Sequence, residues 1–140
     1  MSCKRKTKRT AFTLVELMVV IVIIGMLASA VTVGVRSYLI SGKQSVAKME
    51  IAKVTQALDT FYAQFDRYPS NDEGLEILCE ENDHFAEGLL SKVPVDPWGN
   101  AYEYNQPGRN HIFEIISYGA DAREGGTGAD ADISSDAIHE

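Results

Sequence analysis

Apolar residues run almost unbroken from Phe12 to Val35, and the single charge inside that run is Glu16. As a helix the run is about 36 Å long at about 1.5 Å per residue, enough to cross a hydrocarbon core of about 30 Å. Its β-branched stretch, Val19 to Ile24, would suit a strand in water. In lipid, however, a lone span must satisfy every backbone N–H and C=O internally and has to be helical. The pattern then changes period. Val46, Met49, Val54, Leu58, Phe61 and Phe65 recur at steps of three to five residues, with Ile51 and Tyr62 widening the stripe. Lys43, Lys48, Glu50, Lys53 and Asp59 fall on the other face. This spacing predicts one long helix from about Phe12 to about Phe65, lipid-embedded in its first half and amphipathic in its second. Arg67-Tyr68-Pro69 ends it, because proline disfavours a helical residue before it.

Beyond the helix the elements shorten. Ser70-Asn71-Asp72-Glu73 has the form of a capping box and predicts a short helix through Cys79, ending near Asn82. Pro94 to Asn100 is turn chemistry. Ala101 to Asn105 and Ile112 to Tyr118 read as two strands of a loose hairpin. Gly119 to Ile133 is rich in glycine and acid, and is either a disordered tail or a loop ordered around a cation. The fold class is α+β, a long N-terminal helix packed on a small antiparallel sheet. The chain divides into a basic leader (1–11), a transmembrane helix (12–35) and a head domain (36–140).

Charge sharpens this division. Lys4, Arg5, Lys6, Lys8 and Arg9 stand just before the span, and by the positive-inside rule they hold the N-terminus in the cytoplasm. The net charge is −7; without residues 1–11 the chain loses five of its 13 basic residues and none of its 20 acidic ones, which leaves a formal −12. Such a surface argues against nucleic-acid binding and permits divalent cations. Of the two cysteines, Cys3 lies in the leader, so the mature chain has only Cys79 and no intramolecular disulfide. Cys79, following Leu75 and Leu78, reads as a small core residue. Ala28-Ser29-Ala30 is the nearest approach to a signal-peptidase site, but the apolar run is too long for that reading.

Two places carry candidate chemistry. Asp121, Asp130 and Asp132 offer carboxylates, and Gly119, Gly125, Gly126 and Gly128 let the backbone fold back and present carbonyls, the mixture calcium takes. The spacing is not that of an EF-hand, and a disordered acidic linker explains it as well. Glu16 is the other place. Cutting the chain between Ala11 and Phe12 creates an α-amine four residues from it. The alternative is a carboxylate that sits near the headgroups, solvated or protonated. No phosphate-binding, nucleophile-elbow or zinc pattern is present: His84, His111 and His139 are scattered, and Trp98, beside a Pro-Gly turn, reads as a packing residue.

The basic leader, Ala11, Phe12-Thr13-Leu14-Val15-Glu16-Leu17 and the apolar run resemble the N-terminal signal of type IV pilins and pseudopilins. Further blocks extend the resemblance to near Ile133. They are Tyr68-Pro69, Glu73-Gly74-Leu75, Asp96-Pro97-Trp98-Gly99-Asn100, Ser117-x-Gly119-Ala120-Asp121, Glu124-Gly125-Gly126 and Asp130-Ala131-Asp132-Ile133. In order, they are similar to the major pseudopilins of type II secretion systems. The resemblance implies cleavage by prepilin peptidase between Ala11 and Phe12, with Ala11 where the family usually has glycine. It also implies N-methylation of Phe12 and pairing of Glu16 with the amine of a neighbouring subunit. It implies calcium in the C-terminal loop, with Asp121, Asp130 and Asp132 as side-chain ligands and carbonyls near Tyr118 and Arg123 completing the shell. The metal would then serve as the staple that a disulfide cannot supply here.

The implied function is structural and not enzymatic. Copies of the subunit, held in the bacterial inner membrane with their heads in the periplasm, would polymerise into a pseudopilus that drives folded proteins through the outer membrane. Minor pseudopilins and an inner-membrane assembly platform are the implied partners besides the chain itself. A subunit of another type IV filament, a pilus or a DNA-uptake fibre, is the alternative reading, and a signal-anchored extracytoplasmic enzyme or calcium-binding module is the third.

Overall fold

The computed structural model describes residues 11–138, except the side chains of 32 and 33. The leader cations, Cys3, His139 and the side chain of Val33 lie outside the described residues. The elements are helix α1 (Leu14–Phe65), strands β1 (Glu103–Asn105), β2 (Glu114–Ser117) and β3 (Ile133–Ser134), and short 3-10 turns at Glu76–Cys79, Gly128–Asp130 and Asp136–Ile138. The chain forms two compact units, one ending at Tyr38 and the other beginning at Leu39.

In the first unit α1 is long and apolar enough to cross a membrane, with a mean hydropathy of 2.7. The described large apolar side chains up to Val35 are exposed, with Phe12, just before the helix, at 80%, Ile21 at 67% and Val31 at 62%. Among the described residues this segment is uncovered, as expected of a helix whose backbone groups are satisfied internally in lipid.

The second unit holds the core. Ala47, Ile51, Val54, Leu58 and Phe61 are buried on one face of α1, and Phe65 continues the row. Their steps of four, three, four and three residues make a single stripe. Leu75, Leu78, Leu90, Tyr102, Ile115 and Ile133 join the same cluster from the loops and the sheet. The expected stripe is thereby corrected: Val46, Met49 and Tyr62 are exposed, while Ala47, too small to register as apolar signal, starts the seam.

α1 ends at Asp66, which takes φ +55° and donates its N–H to Tyr62 O at 2.8 Å. An acidic residue tolerates this left-handed closing turn. Next, Arg67 grips Glu73 with both terminal nitrogens, at 2.7 and 2.8 Å. That fork, aided by the Ser70 N–H, holds the Glu73 carboxyl down at about 2. The capping box forms, with Ser70 N–H on Glu73 Oε2 at 2.8 Å and Glu73 N–H on Ser70 Oγ at 3.3 Å. The short helix expected after it does not. Gly74 stands at φ +61°, outside helical space, so the segment is a turn followed by a 3-10 turn. Cys79 is half-buried against the core, and burial raises its thiol.

The sheet is antiparallel in the order β1-β2-β3. Tyr104 faces Ile115 across the first pair, and Ser117 faces Ile133 across the second. All four residues of the central strand are buried. The hairpin expected from sequence forms with shorter strands, and β3 is an element that the glycine- and acid-rich segment was not expected to contain. Tyr102 anchors the sheet region to α1 by donating to Glu50 Oε2 at 2.7 Å. Burial, and next that bond, push its phenol well above the usual tyrosine range.

Candidate functional site

Ala11, Phe12 and Thr13 precede the first helical turn, and all are exposed. Thr13 donates through its backbone N–H and its Oγ1 to Glu16 Oε2, at 2.8 and 3.0 Å. Glu16 N–H returns a bond to Thr13 Oγ1 at 3.3 Å. This is a capping box that satisfies helix-start donors which have no partner within the helix. The sequence carried its signal, Thr-x-x-Glu, and the reading above took Glu16 only as a membrane charge. The carboxylate is thus turned back over the N-terminal end of the helix, four residues from Phe12 and beside the bond the leader would be cut at.

The glycine-rich loop is ordered by its own backbone. Ala120 N–H donates to Ala129 O at 2.9 Å, and Gln44 Nε2 donates to Gly128 O at 2.7 Å. Gly119 and Gly126 both press on Asp130. A Cβ on Gly126 would stand 2.5 Å from Asp130 O, and one on Gly119 would stand 2.8 Å from the Asp130 carbonyl carbon. Both glycines also have positive φ, so no other residue fits either position without strain. Arg109 ties the loop to the hairpin, with Nη2 3.0 Å from Glu124 Oε1 and Nε 3.6 Å from Glu114 Oε2.

Two of the three aspartates accept backbone N–H groups of the loop itself. Asp121 Oδ1 accepts the Arg123 N–H at 3.2 Å, and Asp132 Oδ2 accepts the Gly125 N–H at 2.8 Å. Asp121 thereby closes a turn two residues on, and Asp132 reaches back seven residues to Gly125. Among the described residues, no three His, Cys, Asp or Glu side chains stand close enough to hold a metal ion. Carboxylates and backbone carbonyls on one loop are the donor chemistry that a hard cation takes. Tyr118 is half-buried, and desolvation followed by its bond to Glu103 pushes its phenol up to about 12; Arg123 is exposed.

Behind the loop lies a buried polar centre that the sequence did not disclose. Asp96 is 3% exposed. Its Oδ1 accepts the N–H groups of Trp98 and Asn100 at 3.1 and 2.7 Å, and its Oδ2 accepts Ser117 Oγ–H at 2.7 Å. Asn100 Nδ2 reaches Gly119 O at 2.9 Å, and Gly119 N–H reaches Ser117 Oγ at 3.3 Å. The Asp-Pro-Trp-Gly-Asn turn and the Ser-Tyr-Gly start of the acidic loop are therefore one hydrogen-bonded assembly. Trp98 is half-buried against the core, with Lys43 Nζ 5.8 Å from its ring centroid.

Comparison with known proteins gives a consistent pattern. The family described as type II secretion system (T2SS), protein G, matches residues 35–136. A prokaryotic N-terminal methylation motif matches residues 6–32. The type II secretion system core protein G of Pseudomonas aeruginosa is 41% identical over 136 residues, covering 92% of this chain and 96% of that protein. The protein of the same name from Vibrio cholerae is 38% identical, covering 93% of each. Among solved structures, the major pseudopilin from the type 2 secretion system of enterohaemorrhagic Escherichia coli shares the fold. Its TM-score is 0.58 at 22% identity, over 68% of this chain and 87% of that one.

Proposed function

This chain belongs to the protein G family of type II secretion systems, and from that premise we propose that it is the major structural subunit of a pseudopilus. It is made as a membrane-anchored precursor, cut by prepilin peptidase between Ala11 and Phe12, methylated at Phe12 and polymerised through the apolar part of α1. The fibre lies in the periplasm, with the acidic heads facing water and the helices packed inside. Its growth from an inner-membrane platform, capped by minor pseudopilins, drives folded proteins through the outer membrane. The family is one of structural subunits, and no enzyme chemistry is assigned here.

One observation carries this reading. The methylation motif ends at residue 32, where the protein G match begins at 35, and between them they account for the exposed apolar helix and the head alike. The Thr13–Glu16 box lies at the start of the helix, which supports reading Glu16 as the carboxylate that a neighbour's amine meets. The intact mass of protein extracted from membranes tests it. The expected species begins at a methylated Phe12, and a chain that still carries residues 1–11 in assembled fibres overturns it.

Calcium in the 119–132 loop is part of the same proposal. Three carboxylates on one short loop and the glycine-permitted folding around Asp130 support it. A ligand that binds only the folded state raises its stability by mass action. Chelation is therefore expected to lower the melting temperature of a soluble piece lacking residues 1–35, and Asp121→Ala is expected to remove that sensitivity. An unchanged melting curve in chelator shows that the loop needs no metal.

A further inference from the structure

A second concave site lies away from the acidic loop, between α1 and the C-terminal end of the sheet region. It is a cavity of about 310 Å³. Thr55 and Asp59 line it from α1, Tyr68 and Phe113 supply aromatic walls, and Asp136 closes it from the C-terminal turn. The two rings are 4.9 Å apart between centroids and tilted by 51°.

Its chemistry is one-sided. Thr55 is 8% exposed, and its Oγ1 is buried without a hydrogen-bond partner. Asp136 Oδ1 is likewise buried and unpartnered, while its Oδ2 accepts from Asn110 Nδ2 at 3.0 Å. Asp59 Oδ1 accepts the Tyr68 hydroxyl at 3.2 Å and keeps a second oxygen. Leaving a buried carboxylate oxygen unmatched is costly, and the group that relieves it must donate hydrogen bonds and carry positive charge. Among the described residues no lysine or arginine lines the cavity, and its remaining titratable group there is His111, which makes interactions of its own. An anion would meet two carboxylates, and a purely apolar ligand would leave them unmatched. Aromatic faces favour a cation over either.

We propose that this cavity binds a protonated alkylamine, with the ammonium donating to Asp136 Oδ1, Asp59 and Thr55 Oγ1 and the methylene chain lying against Tyr68 and Phe113. The volume is at the small end of ligand pockets and suits a chain of a few carbons. Such a group arrives either as a free amine or as the lysine side chain of a second copy of this chain. The site is independent of the secretion reading and of the calcium loop.

The test uses the full chain in detergent micelles, labelled at isoleucine methyl groups. Ile112 lines the cavity and is 62% exposed, whereas Ile115 is fully buried elsewhere and reports an intact fold. 1,5-Diaminopentane is expected to shift the Ile112 methyl signal saturably while Ile115 stays still, and pentanoate at equal concentration is expected to do nothing. Asp136→Asn and, separately, the more exposed Asp59→Asn should each weaken the amine by about tenfold, as loss of a charged acceptor does. Adding an unlabelled second copy reproduces the shift if the source is a lysine, and acetylating that copy's lysines abolishes it; a shift with the free diamine alone assigns the site to a small amine. No saturable shift with diamine or second copy, or a shift that pentanoate matches or that both variants retain in full, overturns the proposal.

Discussion

Glu16→Ala is expected to leave removal of residues 1–11 largely intact and to abolish filaments. The proposed cut, between Ala11 and Phe12, lies four residues before this side chain, so processing is expected to tolerate its loss and assembly is not. A carboxylate within an apolar span costs about 2.5–3.5 kcal/mol at mid-helix on insertion scales, and less toward the interface. On the proposed function, a partner offsets that cost, and the amine freed at Phe12 of a neighbouring subunit would be that partner. In the single chain the carboxylate is held by Thr13, at 2.8 and 3.0 Å. That bond would by itself assign Glu16 a mere capping role. Glu16→Gln separates the two roles, because an amide oxygen still accepts the Thr13 N–H but offers no charge to an amine. If the charge sets the stagger between subunits, Gln fails as Ala does; if only the cap matters, Gln restores fibres. The measurement is filament yield after shearing, beside the mass of the processed subunit. A normal yield from Glu16→Ala defeats the register role.

Asp96→Ala is expected to destabilise the head by about 3–5 kcal/mol. Two backbone N–H groups and one hydroxyl converge on this buried carboxylate. Hydrogen bonds to a charged acceptor are worth about 1.5–3 kcal/mol each, and donors left buried without a partner add their desolvation cost. Since domains of this size have only about 5–15 kcal/mol in hand, the loss is large. Denaturant unfolding of the soluble head should show a lower midpoint with an unchanged slope. Asp96→Asn, which keeps one acceptor oxygen, should fall between the two. A midpoint for Asp96→Ala close to that of the parent removes the turn from its place as organiser of the acidic loop.

The long helix was legible because its signals are dense. An apolar run longer than a bilayer is thick, followed by a 3.6-period stripe, leaves little choice of structure. The details of the stripe were less legible. Val46 and Met49 advertise hydrophobicity and lie outward, while Ala47 carries almost none and is fully buried. Size and apolar character are not the same quantity, and packing against the sheet selects on size. The helix expected after Ser70 failed at one residue, since a glycine in left-handed space outweighs a correct cap. Strand β3 is two residues long, and too short a segment shows no alternation. The Asp96 centre was half visible. The turn could be read from its own residues, but Ser117 is 21 residues further along, and only the folded chain brings the two together. For the acidic loop, the residues named from sequence lie on one loop, yet Asp121 and Asp132 accept backbone N–H groups within it, a competition that composition cannot reveal.

Trp98 is the chain's single tryptophan, and it lies within the assembly that joins the Asp96 turn to the start of the acidic loop. Its indole is half-buried with the Lys43 ammonium 5.8 Å from the ring centroid, and its backbone N–H is held by Asp96, so its emission is expected to change when that assembly is disturbed. The protein thereby contains an optical gauge of its own: whatever seats itself in the loop can be followed by native fluorescence, with no dye attached and no residue replaced.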